Sequence, residues 1–174
     1  MRKAIILIVL FSTLMFSQEN NFKKFDFLIG KWSGIGSGFG NNKSIINSEF
    51  RFVMKGKYIE VLNDSKFVPT TKKPEGEHHI DKGFISYDAT RNVFLFRQFH
   101  VEDFVIQYIL VDSLSSNSKL VFESEEIENF IHGGKARWVI SIKNGNEIET
   151  TFDVQLPEKE YQCFGENKLK RVLK

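Results

Sequence analysis

From Lys31 to Leu173 the chain divides into short segments rich in Phe, Ile, Val and Tyr, none of which combines a helical period with helical length. That excludes helix bundles and α/β folds, whose helices must be long enough to cover a neighbouring element. The segments run 31–39, 45–54, 57–61, 80–87, 93–101, 104–111, 120–124, 127–131, 136–142, 147–155 and 161–173. Turn signals separate them: Lys55-Gly56, the proline-bearing stretch 69–77, Gly133-Gly134 and Lys143-Asn144-Gly145-Asn146. β-Branched and aromatic residues fit a pleated, half-buried surface. The pattern predicts one all-β domain of about ten short antiparallel strands, as a sandwich or a barrel. Eighteen phenylalanines suit either core. The single cysteine, Cys163, permits no intrachain disulfide, so stability must come from packing.

Before the first strand, Phe22, Phe25, Leu28 and Ile29 have helical spacing. They predict a helix of one to two turns that stops at Gly30. Earlier still, Met1-Arg2-Lys3 precedes an apolar run from Ala4 to Phe16. The run is too short to span a bilayer, which takes about 20 apolar residues, and it reads as an export signal. Residues 1–17 are therefore expected to be removed, leaving a domain 18–174 in the periplasm or outside the cell of a bacterium. No cysteine near this boundary could take a lipid. Loss of Arg2 and Lys3 removes the formal charge of +2 and leaves the basic side chains equal in number to the 22 acidic ones. No basic stripe suited to nucleic acid exists, and stable membrane insertion after cleavage is not expected.

The order of these features narrows the fold. A short helix, then Gly30-Lys31-Trp32, then a meander of strands ending in Lys170-Arg171, resembles the calycin arrangement of lipocalins and fatty-acid-binding proteins. There a Gly-x-Trp follows the helix, and a basic residue of the last strand stacks on the indole. The stretches 27–36 (Phe-Leu-Ile-Gly-Lys-Trp-Ser-Gly-Ile-Gly), 83–88 (Gly-Phe-Ile-Ser-Tyr-Asp) and 96–100 (Phe-Arg-Gln-Phe-His) are similar to fatty-acid-binding-protein-like bacterial barrels related to nitrobindin, the heme-binding β-barrel family. That resemblance implies a ten-stranded meander barrel with an internal ligand cavity. Trp32 and Arg171 become its structural signature. Nitrobindins carry a proximal heme histidine in the C-terminal region, and this chain has no histidine after His132. Heme is therefore not carried over, and no cofactor is expected.

A small, mostly hydrophobic or amphipathic molecule in the lumen is the expected partner. Around Glu102-Asp103 the sequence reads as a tight hairpin that sets Val101 against Phe104, Phe99 against Ile106 and Arg97 against Tyr108. On that register Arg97 and Tyr108 form a polar head and Phe99 and Ile106 an apolar lining, while His100, Gln98 and Gln107 occupy the other face. Inward Arg97 would suit a carboxylate ligand, unless Glu60 or Asp81 paired with it. The residues leave open which set points inward. Glu77-His78-His79-Ile80-Asp81 resembles a metal-ligand cluster, but in a strand only His79 and Asp81 share a face. A third ligand such as His100 would be needed, and no metal site is assigned. Two alternatives stand beside ligand binding. One is an enzyme using His100, or His79 with Asp81, for proton transfer. The other is a filled barrel acting through its surface. No nucleophile elbow or phosphate loop is present, because no helix exists to carry one.

Overall fold

The computed structural model describes residues 22–38, 43–71 and 73–173; the expected signal 1–17 lies outside them. The ten strands are β1 (Gly30–Ser37), β2 (Lys43–Val53), β3 (Tyr58–Phe67), β4 (Glu77–Asp88), β5 (Val93–His100), β6 (Val105–Leu110), β7 (Lys119–Glu128), β8 (Lys135–Asn144), β9 (Glu147–Gln155) and β10 (Gln162–Arg171). Each pairs antiparallel with the next, and β1 pairs with β10, so the sheet closes on itself. This is a meander barrel, not a sandwich. Closure leaves no strand of the sheet with an unpaired edge.

The two expected segments 120–124 and 127–131 are not separate strands, because β7 runs on to Glu128 and 129–131 belong to the turn that follows. Tyr108 faces Ser124 and Gln107 faces Glu126, so Glu125 has no opposite number. This β-bulge is what the polar interruption in the sequence encodes. The extra residue points Glu125 outward, where it pairs with Arg91.

The N-terminal helix, Phe22–Leu28, is a 3-10 helix. Its three buried residues, Phe22, Phe25 and Leu28, are spaced by three, which matches three residues per turn. They plug one end of the barrel, with Phe22 and Phe25 packed edge-on against Phe94 at the start of β5. Gly30 then adopts φ of 130°, a conformation that side chains disfavour, and turns the chain into β1. Trp32 is buried beside it and donates its indole N–H to Leu28 O at 2.7 Å. The Arg171 guanidinium lies 4.2 Å above the indole and donates to the carbonyls of Ile29, at 2.8 Å, and Phe27. One arginine thus covers the indole and supplies donors to carbonyls at the end of the helix that helical bonding leaves unpaired.

The inward faces of the strands change character along the barrel axis. Near the plug they carry Phe50, Ile59, Ile85, Phe94, Phe96 and Phe122, all buried. Phe96, Tyr108, Phe122 and Trp138 fill the middle with offset and tilted ring contacts. Toward the opposite end the same faces become Ser44 on β2, Asn63 and Ser65 on β3, His79 and Asp81 on β4, Gln98 and His100 on β5, and Asn167 on β10. The lumen is therefore filled in one half and open in the other.

Candidate functional site

The open half is a cavity of about 390 Å³ at the mouth away from the helix. Trp138 forms part of its wall, and Phe67, Phe104, Phe152, Phe164 and Ile46 supply the rest of the apolar surface. A smaller, wholly apolar pocket of about 140 Å³ adjoins it and shares Phe104, Phe152 and Phe164. Gly36 keeps the β1 wall open. A Cβ there would come within 2.7 Å of Ser44 Oγ and 2.5 Å of Asn167 Oδ1.

The polar wall is built by the period-two geometry of β4 and β5. Asp81 lies opposite His100 in the ladder, and Asp81 Oδ1 meets His100 Nδ1 at 2.9 Å. The His100 side chain is 7% exposed and stacks on Phe104 with ring centres 4.0 Å apart. Its other nitrogen, Nε2, is buried with no hydrogen-bond partner among the described residues, and the same is true of Ser44 Oγ. His79 contacts Glu102 through Nδ1 and meets Glu77 Oε2 at 3.1 Å through Nε2. Glu77 is also paired with Lys73 outside the cavity. His78, one residue along, points the other way and meets Asp64 at 3.1 Å. The divergence of the two adjacent histidines follows from strand geometry, and so does the shared face of His79 and Asp81.

Several expected site residues lie elsewhere. Arg97 is on the outer wall, paired with Glu128 and 3.4 Å from Gln107. Phe99 is 46% exposed, with the Arg97 guanidinium over its ring. Gln107 is outside as well, between Arg97 and Glu125. Glu60 also faces outward, beneath Arg51 and Lys82. Tyr108 and Ile106 do point inward, Tyr108 into the filled core and Ile106 onto the smaller apolar pocket that adjoins the cavity.

The cause is a one-residue register difference. The turn between β5 and β6 holds three residues, Val101, Glu102 and Asp103, with His100 N bonded to Phe104 O. Asp103 has φ of 70°, the left-handed residue typical of a three-residue hairpin. Arg97 therefore faces Gln107, and Phe96 faces Tyr108. Of the two interior sets, it is His100 and Gln98 that line the cavity. Sequence reasoning missed Ser44, Asn63, Ser65, Glu102 and Asn167. Their signal is polar residues at alternate positions near the same end of successive strands.

Among the described residues no Lys or Arg lines the cavity, whereas Glu77, Asp81 and Glu102 do. Among the described residues no Ser, Thr or Cys bonds to His100. Cys163 is exposed at the start of β10, and partial desolvation, with the nearby Asp153 charge, pushes its thiol pKa up.

The fold and the site together define a small closed β-barrel with a half-open, polar-mouthed lumen. No family model matches the chain, and no curated protein matches it. Solved structures do. Rv2717c from M. tuberculosis shares 14% identity at a TM-score of 0.63, over 87% of this chain and 97% of that one. A de novo designed fluorescence-activating β-barrel shares 9% identity at a TM-score of 0.42, covering 84% and 94%. EF1p2_mFAP2b, solved bound to DFHBI, shares 11% identity at 0.44, covering 86% and 98%. The likeness to Rv2717c establishes the barrel fold alone.

Proposed function

We propose that this protein binds a small, mostly hydrophobic molecule in the open half of its barrel, and that the ligand is neutral or cationic at its polar end. The observation that carries the reading is the cavity itself. Aromatic and polar walls line about 390 Å³ around a polar cluster whose buried member, His100, keeps an unpartnered imidazole nitrogen. Pockets of this size and mixed lining suit small ligands oriented by a few polar groups. The three carboxylates of the lining, Glu77, Asp81 and Glu102, disfavour a fatty-acid head group. This replaces the carboxylate recognition by Arg97 that the sequence suggested.

The test is titration with the neutral fluorescent probe N-phenyl-1-naphthylamine. Saturable enhancement is expected for the wild type. Ser65→Trp, which fills the mouth, should abolish it. A fluorescent fatty acid such as parinaric acid should bind at least several-fold more weakly. Equal binding by Ser65→Trp, or a preference for the fatty acid, would reject the reading.

One observation favours a second reading, proton transfer in the lumen: Asp81 orients His100 and leaves Nε2 free, as in a general base. Turnover of small aryl esters that disappears in His100→Gln would support it.

We further propose the calycin relationship, with nitrobindin as a distant relative. The Trp32–Arg171 stack and the strand order support it. We also propose that heme is not the ligand, because the depth a flat macrocycle would need is occupied by Phe96, Tyr108, Phe122 and Trp138. Export to the periplasm or beyond is proposed from the composition of residues 1–17. Finding the protein in the periplasmic fraction with an N-terminus near Gln18 would bear it out.

A further inference from the structure

We propose that the mouth of the barrel holds one divalent transition-metal ion of the zinc class, bound by Asp81, His100 and Glu102. The site does not depend on the small-molecule reading and goes beyond it. These three residues come from β4, from the end of β5 and from the turn that follows. The register of the β4–β5 pair and the left-handed Asp103 bring them together. One ligand atom from each lies within 4.8 Å of the others. Around an ion with bonds of about 2.1 Å, tetrahedral ligand atoms stand about 3.4 Å apart. Side-chain rotation alone covers that difference, since Glu102 sits on an exposed turn.

The set is not made of surface carboxylates alone. His100 is more than nine-tenths buried and lines the cavity, and its Nδ1 stands 2.9 Å from Asp81 Oδ1, close to the spacing of two ligand atoms on one ion. The charges also match. Two carboxylates and a neutral imidazole balance a dication. The ligand chemistry favours zinc, cobalt or nickel over magnesium or calcium, which take oxygen ligands almost exclusively. Around the three ligands the structure already supplies an outer shell. His79 rests against Glu102 and is held in turn by Glu77. Such outer partners fix the orientation of a ligand and tune its affinity.

The experiment is calorimetric titration of zinc chloride into the untagged, chelator-treated protein, with cobalt absorption as a spectroscopic second readout. One ion per chain is expected, and a millimolar excess of magnesium should not displace it. Glu102→Gln and His100→Ala should each weaken zinc at least tenfold, and His79→Asn by roughly ten- to a hundredfold. Glu102→Gln lies on an exposed turn, so its unchanged circular dichroism would show that the loss is not one of folding. His78→Ala and His132→Ala, both outside the cavity, should bind as the wild type does. Absence of saturable one-to-one binding would overturn the proposal. So would wild-type affinity in Glu102→Gln and His100→Ala, or loss that follows His78 or His132 instead. N-phenyl-1-naphthylamine fluorescence, recorded on the same samples without metal, separates this outcome from the fate of the small-molecule reading.

Discussion

Tyr108 brings a hydroxyl into the filled half of the lumen, and the hydroxyl finds no hydrogen-bond partner among the described residues. Burial pushes the phenol well above its ordinary pKa, and the nearby Asp81 charge adds to this, so the group stays protonated. An unpaired buried hydroxyl is destabilising, so Tyr108→Phe should be neutral or stabilise the fold by about 1 kcal/mol. Denaturant unfolding is the check, and a clear loss of stability would mean that the hydroxyl is bonded in solution. Glu60, on the outer wall, is the opposite case. The hydrogen bond from Lys82 and then that from Arg51 hold its carboxyl below the ordinary range, against the raising effect of burial. A depressed folded-state pKa stabilises the protein above the unfolded-state value, and the contribution disappears as pH falls through the folded value. Wild type should therefore exceed Glu60→Gln in melting temperature near neutrality. The gap should close on acidification through and below the ordinary carboxylate range. A gap that stays constant into acid would show that the pair contributes nothing through charge.

Among the elements, the plug helix and the end of β10 depend on each other. Trp32 fills the space beneath the helix, and Arg171 joins its last carbonyls to the strand that closes the barrel. Trp32→Ala should cost about 3–5 kcal/mol, as a large buried side chain replaced by a small one. Arg171→Met keeps much of the packing but strands two carbonyls, so its cost should be smaller, about 1–3 kcal/mol. Chemical denaturation of the two variants orders these effects, and an equal or reversed order would place the main role in the hydrogen bonds. The strands themselves were legible because alternation with a period of two survives in Phe94-x-Phe96-x-Gln98-x-His100 and in Ser44-x-Ile46-x-Ser48-x-Phe50. The face assignment across the β5–β6 hairpin was not legible. It rests on one backbone angle at Asp103, and aspartate accepts either turn. A turn of three residues instead of two moves Arg97 away from Tyr108 and leaves the arginine on the outer wall. The cavity's polar cluster was partly readable, since strand geometry alone put His79 and Asp81 together. Glu102 was read as a hairpin tip, because its approach to the cluster depends on that same turn.

For the molecule as a whole, the half-filled lumen makes a clear expectation about heme. Hemin mixed with the protein should give no sharp stoichiometric Soret shift. A tight complex whose spectrum changes in His100→Ala would show that the aromatic filling moves aside for a macrocycle. The closure of the sheet has its own consequence, and it concerns time. Trp32 and Arg171 are ladder partners drawn from the first and last strands. During synthesis β1 to β9 can pair in sequence as each emerges, but β1 and β9 keep open edges until β10 follows. Long-range pairing of this kind folds slowly, and open edges invite pairing with other chains. The nascent protein therefore passes through a stage in which a nearly complete sheet is still adhesive, and the last strand, not the core, ends that exposure.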